Sequence, residues 1–446
     1  MSDEALVRRY AGRAVPRYTS YPTAAEFTAA VGPQDHARWL GRLDPAEPIS
    51  LYVHVPYCRA LCHYCGCHAK MAIREDVFAA YRQRIETEIE LVSRHLPGRL
   101  KVARLHWGGG TPTILGGEAL ASIVETLGRH FAFEADFEHA IELDPRRLDR
   151  PLAESLAALG INRASFGVQD LDPFVQKAIG RVQPLPVVTR GIDHLHAVGI
   201  NCINLDLMYG LPGQTEESIE KTCQTVIDLD PDRVAVYGYA HMPARRRNQR
   251  LIDPASLPGA EQRFAQAQMV AAIFAAAGYV QIGIDHYARP DDSLAKAVSV
   301  GRLHRNFQGY TDDDRPTLIG FGSSAISRLA DGYVQNITGN TAYAHKIDAG
   351  EMPTARGHRF VGDDLVRARI IEALMCDFKV DLHAVAAGRD YADELALLRP
   401  LAADGLVQVN GARVEVTEIG RPFVRLVAAV FDQFRAIEPT RFSRAV

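Results

Sequence analysis

The chain has 446 residues, 47% of them hydrophobic and 23% charged, an ordinary globular balance that excludes disordered, collagen-like and coiled-coil chains. That length suits two or three domains, or one large α/β barrel with additions, and supplies a core that needs no disulfide staples. Fifty Lys and Arg against 54 Asp and Glu leave a net charge of −4, so no global field recruits nucleic acid or an acidic membrane. An anionic ligand must therefore be met by a local basic cluster.

Residues 1–24, MSDEALVRRYAGRAVPRYTSYPTA, have neither the apolar run of a signal peptide nor the acid-poor character of a transit peptide. No window of about 18 apolar residues occurs, so no membrane span is expected. From residue 50 to about 238, β-rich runs alternate with amphipathic helical stretches. The runs are SLYVHV (50–55), VARLHW (102–107), HAIEL (139–143), RASFGV (163–168), INLDLM (203–208) and RVAVYG (233–238). Helices are expected over 76–95, 118–131, 151–159, 185–198 and 216–229, where apolar residues recur at three- and four-residue spacings. Such alternation implies parallel strands with right-handed crossovers, and six units fit a partial (β/α)6-type barrel, with a doubly wound open sheet as the alternative.

Residues 239–260 carry three prolines and four arginines and read as a long exposed connection, with Arg245, Arg246 and Arg247 as a solvated run. An Ala-rich helix is expected at about 259–277, then a strand at 279–284, and residues 285–325 read as site loops. From about residue 361 the pattern becomes mainly helical. A hairpin-like GLVQVNGARVEV there, with its Asn-Gly turn, gives it a winged-helix character. It lacks a basic face, so it reads as a lid and not a DNA reader. The expected divisions are an N-terminal substrate-associated segment at 1–48, a barrel with site loops and extra β elements at 49–328, and a smaller helical lid at 329–446.

Four of the seven cysteines fall at 58, 62, 65 and 67, an odd total and a poor disulfide framework, which places the chain in a reducing cytoplasm. Cys58, Cys62 and Cys65 form a CxxxCxxC string directly after the first strand. Three soft thiolates on one loop suit an iron–sulfur cluster; structural zinc uses two separated hooks, which are absent here. Three ligands leave one iron of a cubane open to a small molecule. Cys67 stands too close to Cys65 to complete the same cube. Cys202, Cys223 and Cys376 read as ordinary buried thiols. The triple glycine of HWGGGTPT (106–113) removes every Cβ where the second strand ends, which suits a plain tight turn, the commoner use of such a run, or a backbone that approaches a ligand closely. It is not a phosphate loop, because no Gly-Lys-Ser/Thr follows. Glu142, Gln169 and Asp206 are polar groups at the ends of three apolar strands, the face on which barrel sites are built.

The string YVHVPYCRALCHYCGC (52–67) resembles the radical S-adenosylmethionine (SAM) superfamily and, within it, the oxygen-independent coproporphyrinogen III oxidases. PRYTSYPTA (16–24), HWGGGTPT, IELDP (141–145), SFGVQD (165–170), NLDLMYGLPGQT (204–215), YAHMP (239–243), DHYARPDD (285–292), LHRNFQGYT (303–311) and GFGSSAIS (320–327) carry the same resemblance, and LMCDF (374–378) extends it. It implies a [4Fe–4S] cluster on Cys58, Cys62 and Cys65, and two SAM molecules. Those would be held by Tyr52, Tyr64, Gly109, Gly110, Thr111, Glu142, Gln169, Arg181, Asp206, Ala240 and Ile326. Cys67 is then required for catalysis without being a ligand. The implied reaction takes a hydrogen atom from a propionate with a SAM-derived 5′-deoxyadenosyl radical. Loss of carbon dioxide and one electron leaves a vinyl group, and repetition on a second propionate turns coproporphyrinogen III into protoporphyrinogen IX. A low-potential electron donor and a monomeric state are implied as well. The substrate's four propionates call for cations, for which His54, Arg59, His63, Arg289, Arg302, His304 and Arg305 are candidates. A haem chaperone of the same superfamily is the rival reading; it is expected to lack both PRYTSYPTA and a counterpart of Cys67. A radical SAM methyltransferase or cyclopropanase relative, sharing the barrel but not LHRNFQGYT, is a second.

Overall fold

Strands that alternate with amphipathic helices turn one face onto those helices, and buried apolar residues such as Leu105, Ile141, Phe166 and Leu205 alternate with less buried polar ones such as Arg104, Glu142, Ser165 and Asp206. A computed structural model describes residues 3–386 and 388–435. In it β1 (Ile49–Val55), β2 (Leu100–Gly109), β3 (Phe131–Leu143), β4 (Arg163–Gln169), β5 (Cys202–Tyr209) and β6 (Arg233–Gly238) alternate with six helices. These are α1 (Glu75–Ser93), α2 (Gly117–His130), α3 (Arg150–Ala158), α4 (Leu185–His196), α5 (Glu216–Asp228) and α6 (Ala260–Ala276). β1 to β6 pair in parallel in chain order. An order without reversal is the winding of a barrel; a doubly wound sheet would reverse at a switch point. The strands and helices enclose one large core that includes Val53, Trp107, Phe166, Leu205 and Phe274.

The sheet extends further than the alternation implies. A short hairpin, β7 (Val280–Ile282) and β8 (His286–Ala288), adds antiparallel to β6. β9 (Leu318–Phe321) pairs in parallel with β1, inside a stretch expected to be loop. Its four residues are too short to show a period. β10 (Ile326–Leu329), β11 (Gly332–Asn336) and β12 (Thr354–Arg359) then follow antiparallel, completing a 12-stranded sheet that continues past residue 328.

A second core gathers the C-terminal elements: α7 (Asp364–Asp377), β13 (Lys379–Asp381), α8 (Ala392–Ala403), β14 (Val407–Asn410) and β15 (Arg413–Val416). The three strands form a small sheet in the order β13–β15–β14, a winged-helix-like arrangement. The β14–β15 turn is Gly411-Ala412, with Gly411 at φ 62°. Leu6, Tyr10, Val15, Tyr18 and Tyr21 belong to this second core, and the Tyr18 hydroxyl donates to Asp432 at 2.9 Å. Trp39 and Leu40, by contrast, pack on the barrel. The N-terminal segment thus ties the two cores together. Residues 1, 2, 387 and 436–446 of the expected divisions lie outside the described residues. No described helix is long and apolar enough to cross a membrane.

Candidate active site

β1 runs out at Val55, and Pro56 starts the cysteine loop. The neck of that loop is closed by a two-residue parallel pairing of Tyr57–Cys58 with Lys70–Met71. The Gly110 and Thr111 amides donate to the carbonyls of Val55 and Tyr57, both at 2.8 Å, so the glycine turn is laid against the same neck. Gly109 has φ +112°, and a Cβ there would stand 2.5 Å from His54 Cε1; a Cβ on Gly110 would meet the Tyr57 carbonyl oxygen at 2.5 Å. The glycines are thus required by close approach to this chain's own loop.

The tip of the loop is held from a distant segment. The Asn248 side-chain amide donates to the carbonyls of Cys62, His63 and Cys65 at 3.0, 3.2 and 2.9 Å. Its neighbour Gln249 is buried and donates to the Tyr64 carbonyl at 2.8 Å and the Ala240 carbonyl at 3.2 Å. Residues 239–260 are therefore more than an exposed connection. The proline and arginine content hid two amides whose work is visible only once the chain has folded back.

Each cysteine sulfur of the motif faces one donor. Thr111 Oγ1 lies 3.5 Å from Cys58 Sγ, Arg181 Nη1 lies 3.6 Å from Cys62 Sγ, and the Cys67 amide lies 3.4 Å from Cys65 Sγ. The Cys67 thiol also donates to Cys65; that contact pulls Cys65 down to about 7 and pushes the Cys67 thiol well up. Burial pushes Cys58 up to about 11. Donors aimed at thiolate sulfur stabilise an anionic cluster and tune its potential. Among the described residues no three His, Cys, Asp or Glu side chains converge as ligands of one ion. Ligands of one ion must lie about 2.3 Å from a common point, whereas a cubane spreads three thiolates over three corners. The donor set fits a three-cysteine cluster.

The strand ends supply a polar floor beside that loop. Glu142 Oε2 accepts the Gly109 amide at 3.1 Å, and its other oxygen stands 3.5 Å from His106 Nε2. The Tyr52 hydroxyl shares a 3.0 Å hydrogen bond with His54 Nδ1, and the Tyr52 ring stacks on His106. Asp206 accepts from Ser165 at 3.1 Å and Asn204 at 2.8 Å; burial, then the charge of Glu142, pushes it up to about 6. Gln169 ends β4 at φ 70° with its side chain buried. Ile326 opens β10, its carbonyl packed against Gly320, which pairs with Tyr52 across β9 and β1. Tyr64 packs on an apolar cluster containing Ile179, Leu211 and Tyr239, and Ala240 follows the end of β6.

Arg181 stands with Nη2 3.7 Å from Asp144 Oδ1. Nε and Nη2 both donate to the Gly167 carbonyl, at 3.1 and 2.6 Å, and Nη1 faces the Cys62 sulfur. It links β4 to the cysteine loop.

Beyond Ala240 opens a cavity of about 1020 Å³ between α6, the end of β6, the N-terminal segment and residues 418–425. Of the seven basic candidates only Arg305 lines it. His54 bonds Tyr52 and the His68 carbonyl, Arg59 bonds Glu75, His63 bonds the Ala178 carbonyl, Arg289 pairs with Asp230 and His304 with Glu372. Arg245, from the run expected to be merely solvated, faces the cavity.

Residues 52–226 match the radical SAM superfamily, and residues 362–423 match the HemN C-terminal domain. The chain is 44% identical over 446 residues to the oxygen-independent coproporphyrinogen III oxidase of Bradyrhizobium diazoefficiens, covering 99% of both. It is 39% identical to the oxygen-independent coproporphyrinogen III oxidase of Escherichia coli, covering 100% of this chain and 98% of that one. A solved structure of the Escherichia coli coproporphyrinogen III oxidase (HemN), described as a radical SAM enzyme, superposes with a TM-score of 0.90 at 38% identity, over 97% of this chain and 99% of that one. Likeness of that extent covers the cysteine loop, the strand ends and the C-terminal elements together, and with it the chain belongs to the oxygen-independent coproporphyrinogen III oxidases of the radical SAM superfamily.

Proposed function

We propose that the chain converts two propionates of coproporphyrinogen III to vinyl groups without oxygen, giving protoporphyrinogen IX. The observation that carries this reading is the cysteine loop with one hydrogen-bond donor per sulfur, set beside Glu142 and Asp206, in a chain of this family. Cys58, Cys62 and Cys65 would hold a [4Fe–4S] cluster, and SAM would occupy the strand ends. When bound, the reduced cluster and SAM together supply the one-electron chemistry that removes a hydrogen atom from a propionate side chain.

Thr111, Arg181 and the Cys67 amide stabilise negative charge on the thiolates. Glu142 and Asp206 offer carboxylates to the hydroxyl and ammonium groups of SAM, with Tyr52, Gln169, Ile326, Gly109 and Gly110 shaping the floor. Ala240 lines the large cavity and shares Gln249 with Tyr64, and a second SAM, as the family resemblance implies, would sit by these two residues. Cys67, exposed and hydrogen-bonded to Cys65, would be the thiol that serves the substrate. The domain border belongs near residue 360, where the sheet ends and the second core begins, with the N-terminal segment bridging the two. The protein works as a cytoplasmic monomer with a low-potential donor. A haem chaperone is disfavoured by the presence of both PRYTSYPTA and Cys67.

The test is anaerobic reconstitution with iron and sulfide, then addition of SAM, reductant and coproporphyrinogen III. Protoporphyrin after oxidation is the expected product. Stoichiometric haem binding without porphyrin formation would favour the chaperone.

A further inference from the structure

The cavity beyond Ala240 is lined by six arginines, Arg17, Arg245, Arg263, Arg305, Arg421 and Arg425, against two carboxylates, Asp285 and Glu418. Both acids already have partners. Asp285 accepts from His286 at 2.7 Å, and Glu418 pairs with Arg421 at 2.7 Å. Arg305 lies over the Tyr310 ring at 4.2 Å, and its Nε and Nη1 are buried without a hydrogen-bond partner. Burial, followed by the like charges of Arg17 and Arg305, pushes Arg425 down to about 10. His286 together with Arg305 and Arg17 holds Asp285 down to about 2 in spite of its burial. The crowding disfavours the charge of Arg425, whereas Tyr310 and Asp285 raise Arg305 in spite of its burial, so an entering anion has most to offer Arg425. Tyr209, Leu257 and Phe264 give the same cavity apolar walls, and its volume suits a large organic ligand.

None of the seven cysteines lines this cavity, and neither Glu142 nor Asp206 does. A carboxylate that departs as carbon dioxide gains nothing from a fixed guanidinium. The ion pair stabilises the ground state and is lost as the carbon–carbon bond breaks, so it raises the barrier. A carboxylate that survives keeps its ion pair throughout and can anchor the ring.

We propose that Arg17, Arg305 and Arg425 bind the propionates that are retained, leaving those to be decarboxylated to face the cysteine loop. This rests on the function proposed above. It adds the assignment of the two ends of the substrate.

The test uses the full chain and three oxidised porphyrins as fluorescent probes: coproporphyrin III with four carboxylates, protoporphyrin IX with two, and coproporphyrin III tetramethyl ester with none. Arg305→Gln and Arg425→Gln should each weaken both acids by about tenfold, the worth of one charge-assisted pair. The ester should bind more weakly and ignore the substitutions, and Arg150→Gln on α3 serves as the unaffected control. In turnover, KM should rise while kcat holds. Should Arg425→Gln melt early, Arg17→Gln, at an exposed position, carries the same comparison.

Stably folded variants that bind both acids as the wild type does overturn the proposal. So does weakening confined to coproporphyrin III, which would assign the arginines to the propionates that are lost. The proposed function fails with a different signature: a reconstituted wild-type chain that makes no protoporphyrinogen. The retained-carboxylate assignment then falls with it, whatever the affinities.

Discussion

Replacing Asn248 with Ala removes the amide that collects the Cys62, His63 and Cys65 carbonyls at 2.9–3.2 Å. An amide has two hydrogens, so three acceptors amount to two full bonds, one of them shared. At about 1 kcal/mol net for each, about 2 kcal/mol of loop ordering is lost, which shifts the loop about 30-fold toward arrangements with splayed thiolates. A cluster held by three sulfurs leaves when the loop opens, so iron release should quicken by the same factor. Global melting should change little, because the loop contributes only marginally to the two large cores. Asn248→Asp keeps the volume but turns acceptor oxygens toward three carbonyls, and release should be faster still. The assay is anaerobic reconstitution followed by excess ferrous chelator, with the cluster's absorption tracked over time. Iron release within about twofold of wild type in both variants would refute the idea that this amide holds the loop.

Cys58→Ala, Cys62→Ala and Cys65→Ala should each abolish SAM cleavage and the cluster's charge-transfer absorption; cleavage at the wild-type rate in any one sinks the ligand assignment. Cys67→Ser should keep near-normal iron content while porphyrin formation collapses, and iron falling as far as in Cys62→Ala would make Cys67 a ligand. Asp206 is pushed up to about 6 from its ordinary 3.8, so the folded state holds its proton more tightly. Stability is therefore lost as pH rises from about 4 through about 6, by at most about 3 kcal/mol. Asp206→Asn should raise the melting temperature at pH 8 and leave it unchanged at pH 4; an equal effect at both would locate its origin elsewhere. Arg181→Lys cannot bridge the Gly167 carbonyl and the Cys62 sulfur with one rigid fork. It should therefore perturb the cluster spectrum as well as turnover, and a wild-type spectrum would confine Arg181 to SAM.

The six parallel strands and their helices were legible because each unit is local. Its apolar period, its glycine stops and its parallel partner all lie within a few tens of residues. β6 runs over residues 233–238 as its pattern indicates, and α5 begins at Glu216 behind a Thr215 cap that reaches the Ser218 amide. β9 was hidden for the opposite reason. Its four residues pair with β1, more than 250 positions earlier, and Gly320 is a glycine because a Cβ would strike the Ile326 carbonyl at 2.6 Å. Nothing in LIGF announces that constraint. The antiparallel additions after it are equally short, so the sheet runs past the division expected at 328.

The candidate site divides along the same line. Thiols bear their chemistry in the residue type, and three of them at CxxxCxxC need no partner elsewhere to be noticed. The groups that hold them do need partners. Asn248 lies more than 180 positions beyond the loop it clamps, among prolines and arginines that read as solvent-facing. The residue type of Arg181 suggests a carboxylate partner, but no local pattern shows that the fold also sets it on the Gly167 carbonyl and the Cys62 sulfur. Charge shows the contrast most plainly. With 50 basic and 54 acidic side chains the chain has no overall pull on an anion, and the seven basic candidates near the motifs proved, with the exception of Arg305, not to line the cavity. The positive field is assembled instead from Arg17, Arg245, Arg263, Arg305, Arg421 and Arg425, which span 408 positions of sequence and meet only after the N-terminal segment docks on the second core. A cluster of six arginines can therefore be assembled in the folded protein and absent from every window of its sequence. The docking of Tyr18 and Tyr21 onto the C-terminal elements brings Arg17 to the cavity, so it is a step in building the site as much as in stabilising the fold.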